Sequence, residues 1–202
     1  MPMTLVETFV RADRAIAEAI TRAAHASPSA RVGPVFATEP DDGVPLGTWL
    51  ARVARDEAWI PALLAGRTMA EVGSEAFDGD VLGEAPAEAF ARLAAEAQDA
   101  VRAVTDLGAP VHCSFGDCST EEYLWQLVVA RTLGAEALAV VGGVPSPVDD
   151  ALAEAVHAGL APRAALWREV GILRPARVAT GPSPREELLA LAGWRGPVPC
   201  PT

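Results

Sequence analysis

The chain has 202 residues, half of them hydrophobic, which is enough to bury the core of one domain or of one domain with a small appendage. It carries 27 acidic residues against 16 basic ones, a formal charge of −11, so it lacks the basic surface that nucleic acid or an anionic membrane would require. We therefore expect neither nucleic acid nor a membrane among its partners. Three cysteines are too few for a disulfide framework and fit a reducing compartment. Met1 to Leu5 do not form a basic segment followed by an apolar one, and no apolar run approaches the roughly 18 residues of a membrane helix. These features predict a soluble cytoplasmic protein.

Helical periodicity dominates the chain from its start. Thr4 and Glu7 form a capping-box pattern, and apolar residues then recur at helical spacing to about Ala24. Three further long helices are predicted, followed by shorter helical turns. The long predicted helices cover 5–24, 48–59, 86–107 and 123–141, and the shorter turns cover 61–65, 68–72, 147–160, 164–170 and 184–192.

The connections between these helices contain many turn-forming residues. From Ser27 to Gly47 the chain is rich in proline and glycine, which predicts a long connection over the surface, and Phe77–Gly83 is a turn-rich loop. Pro61 interrupts or restarts the second helix. Pro110–Phe115 alternates weakly and is predicted to be extended, and Ser119 with Glu122 forms a second capping-box pattern before the fourth helix.

Five groups of residues stand in a fairly specific order and spacing along the chain. They are Leu63–Thr68 with Ala70–Gly73, then Phe77–Gly83, Ser114–Asp117, Glu122–Leu124 and Leu188–Gly193. Together they resemble an actinobacterial branch of the mycothiol-dependent maleylpyruvate isomerase and DinB-like superfamily, over nearly the whole chain. The resemblance implies an all-α fold: an antiparallel four-helix bundle over 1–145 with a long crossover after helix 1, and a short helical C-terminal extension over 146–202 packed on it.

The resemblance also implies one divalent metal, held by a His on the second helix and by an acidic residue and a His four apart on the fourth. Residues i and i+4 share a helix face, so both side chains would meet one ion inside the bundle. Carried over from the flanking matches, these three positions fall on Arg52, Ala130 and Gly134. None of these residues can ligate a metal. We therefore expect no metal and no cofactor.

Other candidate chemical groups are few. The three His lie in different segments, so a relocated metal site ranks last among the hypotheses. Cys113 and Cys118 beside His112 do not have the Cys-x-x-Cys spacing and are interpreted as two ordinary thiols. Asp78 and Asp80 are candidates for acid–base catalysis, although Asp-Gly-Asp is also ordinary turn chemistry and the structural interpretation is favoured.

Arg52 is the most informative of the three substituted positions. If the second helix packs as the resemblance implies, its guanidinium points into the bundle and binds a substrate carboxylate or enolate in place of the metal. The competing interpretation is that Arg52 pairs with Asp56 one turn later and packs its stem on Trp49. The sequence favours neither.

One face of the fourth helix carries Tyr123, Leu127, Ala130 and Gly134. The small residues leave a strip beneath the phenol that either widens into a substrate pocket, together with Trp49, or lets a neighbouring helix approach and close it.

Two functional hypotheses follow from these residues. The first is a metal-independent small-molecule enzyme of isomerase, cyclase or transferase type, with secondary metabolism as one expected setting and Arg52, Tyr123, Asp78 and Asp80 as its catalytic residues. The second is a non-catalytic, degenerate DinB-like paralogue that binds a small apolar ligand or acts through oligomerisation. The expected partners are a small-molecule ligand and a second copy of the chain in a homodimer.

Overall fold

The structure is a computed structural model of the chain and describes residues 3–196. This part is mostly helical, with 55% helix in eight helices and two small two-stranded sheets. The helices are α1 (Leu5–Arg22), α2 (Leu46–Leu64), α3 (Met69–Val72), α4 (Pro86–Arg102), α5 (Thr120–Gly142), α6 (Asp150–Leu160), α7 (Ala164–Glu169) and α8 (Pro184–Ala192), and the strands are β1 (Arg31–Val32), β2 (Val44–Pro45), β3 (Pro110–Cys113) and β4 (Gly116–Ser119).

The four long helices are arranged around α1. Helix α1 packs along α5 and against α4, and α4 also packs on α2. Helices α2 and α5 remain further apart, so side chains fill the space between them only in part. The core between the long helices is built from large, fully buried side chains, among them Phe9, Ile16, Ile60, Phe90, Leu124, Leu133 and Leu138.

The capping box at Thr4 is confirmed. The second predicted capping box, at the start of α5, forms only in part. Ser119 caps α5 by accepting a hydrogen bond from the Glu122 backbone N–H at 3.2 Å. The reciprocal half of the box is not formed, because the Glu122 carboxylate accepts hydrogen bonds from Arg163 Nε at 2.8 Å and Trp167 Nε1 at 3.0 Å. Glu122 therefore fastens α7 to the start of α5.

Helix α2 is longer than predicted. It begins at Leu46 rather than Thr48 and runs through Pro61 to Leu64, so the predicted end at Trp59 is wrong. Proline lacks a backbone N–H, but Pro61 lies in the last turn and removes only one helical hydrogen bond there. The longer helix extends along the space beside α5.

Several element boundaries also differ from the sequence prediction. The 27–47 connection pairs with itself through β1 and β2 and buries Val32 and Val44, so it is not confined to the surface. The predicted extended segment at 110–115 is β3, and β4, which pairs with it, was not predicted. Helix α4 ends at Arg102, before its predicted end, and α6 starts at Asp150 after an Asp149 cap rather than at Pro147.

The C-terminal helices are held to the long helices by buried polar contacts. Helix α6 packs on α5, α1 and α8. Glu136 of α5, 1% exposed, pairs with Arg185 of α8 and accepts a hydrogen bond from Ser146 Oγ at 2.7 Å. The division at residue 145 into two domains stays a prediction, and Cys200 lies outside the described residues.

Helix α5 corrects the expectation that no segment has the length and composition of a membrane span. Its 23 residues are long and apolar enough to cross a membrane on those two criteria, and it alone among the described helices meets them. Two thirds of its most apolar window, 67%, is buried inside the fold. This burial is typical of the core helix of a soluble protein.

Candidate functional site

A cavity of about 260 Å³ lies in the space between α2 and α5, and we name it the α2–α5 cavity. Helix α2 contributes its third and fourth turns, helix α5 its first three turns, and the β3–β4 hairpin part of the mouth. The wall residues that matter chemically are Arg55, Asp56, Trp59, Cys113, Tyr123 and Gln126, and the apolar ones include Leu63, Leu127, Ala130, Trp167 and Ile172.

The structure places only part of the predicted pocket in this wall. Tyr123, Leu127 and Ala130 line the cavity, as the shared helix face predicted. Trp49 and Gly134 do not: a Cβ added at Gly134 would lie 3.0 Å from Trp49 Cη2, so the indole lies directly against the backbone of α5. Both outcomes predicted for the small-residue strip therefore occur, since it is open at Ala130 and closed at Gly134.

Two hydrogen-bond donors in the cavity wall have no protein partner within the described residues. Tyr123 is 5% exposed, and burial raises the pKa of its phenol above the usual range, so the hydroxyl stays protonated at neutral pH. Trp59 is 4% exposed, and its Nε1–H makes no hydrogen bond. The Trp59 Nε1–H is enclosed by protein atoms, whereas Tyr123 lines the cavity, where a ligand oxygen would satisfy its hydroxyl.

The polar rim of the cavity is formed by neighbouring residues of α2. The Arg55 guanidinium forms an ion pair with Asp78, with 2.6 Å between Nε and Oδ1. The Asp56 carboxylate also lines the cavity. Asp78 therefore acts on the cavity through Arg55 and does not line it itself.

Asp80 does not lie at this cavity, so its predicted catalytic role here has no structural support. Its Oδ1 accepts hydrogen bonds from the backbone N–H of Leu82 at 3.2 Å and of Gly83 at 2.9 Å. This is turn chemistry, the interpretation that the Asp-Gly-Asp pattern favoured.

Arg52 is placed differently from the expectation that its guanidinium points into the interior. Its side chain is 56% exposed and does not line the α2–α5 cavity. Its ion-pair partner is Glu39, with 3.7 Å between Nη2 and Oε1, and not Asp56. Arg52 therefore neither enters the cavity nor forms an ion pair with Asp56, because it lies on the outer face of α2 toward the 27–47 connection.

A buried polar cluster next to the cavity was missed by the sequence reasoning. Each of the four long helices contributes one residue to it, and we name the set Asp13, Glu57, Gln98 and Arg131 the interior cluster. Arg131 of α5, 3% exposed, pairs with Glu57 of α2 and lies 3.4 Å from Asp13 of α1, measured between Nε and Oδ1. Gln98 of α4 donates a hydrogen bond of 2.6 Å to Asp13 Oδ2. A signal was present in the sequence, because these polar residues interrupt otherwise apolar helix faces.

The charges of the interior cluster do not balance if both carboxyls ionise. Burial raises the pKa of Asp13, and it raises that of Glu57 to about 7, against the lowering effect of Arg131. Mutual repulsion between the two carboxylates also raises the pKa of Glu57. A single proton shared by Asp13 and Glu57 makes the cluster neutral.

The β3–β4 hairpin carries the two thiols that the sequence analysis considered. Cys113 Sγ lies 3.9 Å from Cys118 Sγ, and both residues are half-buried free thiols. Burial raises the pKa of Cys113 to about 12, and it also raises the pKa of Cys118. Thiols with raised pKa are poor nucleophiles, in keeping with the interpretation of two ordinary thiols. His112 lies on the other strand face, 2.9 Å from Asp117.

Within residues 3–196, no three His, Cys, Asp or Glu side chains are grouped closely enough to hold a metal ion. The three positions that the family resemblance assigns to ligands, Arg52, Ala130 and Gly134, do not converge on a common point, since one is on the surface, one lines the cavity and one packs on Trp49. That the protein binds no metal stays a prediction.

Compared with known proteins, the chain matches no family model, no curated protein and no solved structure.

Proposed function

We propose that the protein is a metal-independent small-molecule enzyme of isomerase type, and that its substrate binds in the α2–α5 cavity. The substrate class is an enolisable carbonyl compound with an apolar body and a carboxylate. Cytoplasmic localisation and the absence of nucleic-acid and membrane partners belong to the same proposal.

The fold part of the proposal is a four-helix bundle of the DinB-like kind. Its support is the order of packing, in which α1 lies beside α5 and α4 while α2 lies beside α4. The connection between α1 and α2 spans residues 23–45, which fits the long crossover of such a bundle. In such folds, sites for ligands form between facing helices.

Three polar wall residues have distinct tasks in this proposal. Arg55 pairs with the substrate carboxylate, taking the place that the sequence gave to Arg52. Asp56 removes a proton from the carbon next to the carbonyl group, and the electron pair of that C–H bond becomes the enolate. The Tyr123 hydroxyl donates a hydrogen bond to the carbonyl oxygen, where the negative charge develops. Return of the proton to a different atom completes the isomerisation.

The single observation that carries the proposal is the Tyr123 phenol, which lines the cavity and whose hydroxyl makes no hydrogen bond with the described residues. A donor left without a partner in a largely buried wall costs about 1–3 kcal/mol, which a ligand oxygen would offset.

Phenylpyruvate is a suitable probe because it combines an aromatic body, an enolisable carbonyl and a carboxylate. In ²H₂O, proton NMR measures both its binding and the exchange of its C3 protons for deuterium. The proposal predicts binding, with exchange at least about tenfold faster than in buffer alone. Tyr123→Phe, which removes only the hydroxyl, is expected to return exchange to about the rate in buffer alone with little change in binding.

The other functional hypothesis, a non-catalytic binder or oligomerising paralogue, predicts a different outcome of the same experiment. Binding of phenylpyruvate without accelerated exchange would favour it and overturn the enzyme proposal, and absence of binding would reject the proposed substrate class. An observation that favours self-association is the exposure of Phe115 at the hairpin tip, 68%, and of Leu166 on α7, 58%. Sedimentation equilibrium of the wild type and of Phe115→Ser tests the homodimer.

A further inference from the structure

We propose that a second cavity, at the other end of the space between the long helices, binds a small molecule with an apolar body and a cationic amine. This apolar cavity has a volume of about 400 Å³. It opens to solvent and is lined by the end of α1, the start of α2, the start of α4, the loop before α4 and Leu138 of α5. The inference goes beyond the proposed function and does not depend on it.

The wall of the apolar cavity is mostly apolar. Its largest side chains are Ile20, Leu46, Leu50, Leu82 and Leu138. Its volume falls within the usual range of ligand pockets, about 300–1,000 Å³. An apolar occupant packed against these side chains removes apolar surface from water, which favours its binding.

The sign of charge at its rim selects among apolar ligands. Asp80 and Glu88 are the ionisable side chains in the described wall, and both are acidic and solvent-exposed. Asp80 is fixed by the two backbone hydrogen bonds to its Oδ1 from Leu82 and Gly83. A cationic head group at the rim would be attracted to these carboxylates, and a fatty-acid carboxylate would be repelled. The overall charge of −11 acts in the same direction.

The two cavities are separate sites. They share no wall residue. Between them Trp49 lies against Gly134, so the side chain that closes the small-residue strip also forms the partition. A substitution at one site can therefore be tested without altering the wall of the other.

Three probes of equal chain length test the proposal: octylamine, 1-octanol and octanoate, each below its micellar concentration, with binding followed by calorimetry and by protein NMR shifts. We expect octylamine to bind most tightly, 1-octanol less tightly and octanoate least. Glu88→Gln should weaken octylamine binding by about threefold to fivefold and leave 1-octanol unchanged. The matched control is Glu84→Gln, an exposed glutamate outside the wall, which should change neither.

Filling the cavity locates the bound probe. Ala87→Leu places extra carbon in the wall and should abolish binding of octylamine, whereas Tyr123→Phe should leave it unchanged. Should Ala87→Leu fail to fold, Ala51→Leu fills the same cavity from α2. Equal affinity for the three probes, undetectable octylamine binding, or octylamine binding that survives a folded cavity-filling variant would each overturn the proposal.

Discussion

The interior cluster and the α2–α5 cavity meet on α2 and α5, where residues next to each other in sequence belong to one or the other, yet their charged and polar groups face different surroundings. Glu57 of the cluster follows Asp56 of the cavity wall, and Arg131 follows Ala130. In the cluster each charge faces an opposite charge in the dry interior. In the cavity, the Tyr123 hydroxyl has no protein partner. The difference indicates that the cluster stabilises the fold whereas the cavity wall is available to a ligand.

The largest expected effect comes from removing the cation of the interior cluster. Arg131→Met keeps an apolar stem but leaves Asp13 and Glu57 buried without a positive partner. We expect the free energy of unfolding at pH 7 to fall by about 3–5 kcal/mol, measured by urea denaturation. A fall of less than about 1 kcal/mol would show that the cluster does not stabilise the fold.

Glycine at position 134 tests whether the partition between the cavities is closely packed. Gly134→Ala places a Cβ 3.0 Å from Trp49 Cη2, so the indole must shift. The expected loss of unfolding free energy is about 1–3 kcal/mol. The matched control is Gly47→Ala, also in a helix, where the new Cβ makes only an ordinary contact of 3.7 Å with Pro28 and should stabilise by about 0.4–1 kcal/mol. Equal effects of the two substitutions would contradict this account of the partition.

The shared proton of the interior cluster predicts a distinctive pH dependence. Glu57 has a pKa of about 7 in the folded protein and 4.5 as its ordinary value, so its proton is held more tightly in the folded state. The stability from this proton is fully present below pH 4.5 and is lost as the pH rises through about 7.

Glu57→Gln removes this titration while Gln keeps a similar shape. The unfolding free energy of the wild type minus that of Glu57→Gln should therefore decrease as the pH rises from about 4.5 to about 7, in denaturation curves at matched ionic strength. Glu154→Gln, at an exposed glutamate of α6, is the control and should not reproduce this decrease. A difference that stays flat or increases over this range would exclude the shared proton.

The same comparison shows what the sequence could determine. Local signals were sufficient for the capping box at Thr4, for α8 from Pro184 to Ala192 and for the face of α5 that carries Tyr123. These depend on residues three or four apart, which the helix itself brings together. Pro61 did not end α2, because the cost of one lost hydrogen bond was small against the burial of its neighbours.

The sequence could not show which charged side chains would be buried and which would be exposed. Arg52 and Arg131 are both arginines on long helices, and although the apolar surroundings of Arg131 mark it as unusual, no local pattern names the partners that keep it in the interior. That choice depends on Asp13 and Glu57, which lie on two other helices and meet Arg131 only in the folded chain. The expected buried cation exists, but at a different residue.

The most direct test of the central claim, that the α2–α5 cavity and not Arg52 receives the anionic part of a ligand, is a pair of phenylpyruvate titrations. Arg55→Met and Arg52→Met remove the same charge from the same helix, one at the cavity wall and one on the exposed face. The account predicts that Arg55→Met weakens binding by at least about tenfold, whereas Arg52→Met leaves binding within about twofold and the free energy of unfolding within about 0.5 kcal/mol of the wild type. Weakened binding in Arg52→Met with unchanged binding in Arg55→Met would contradict it.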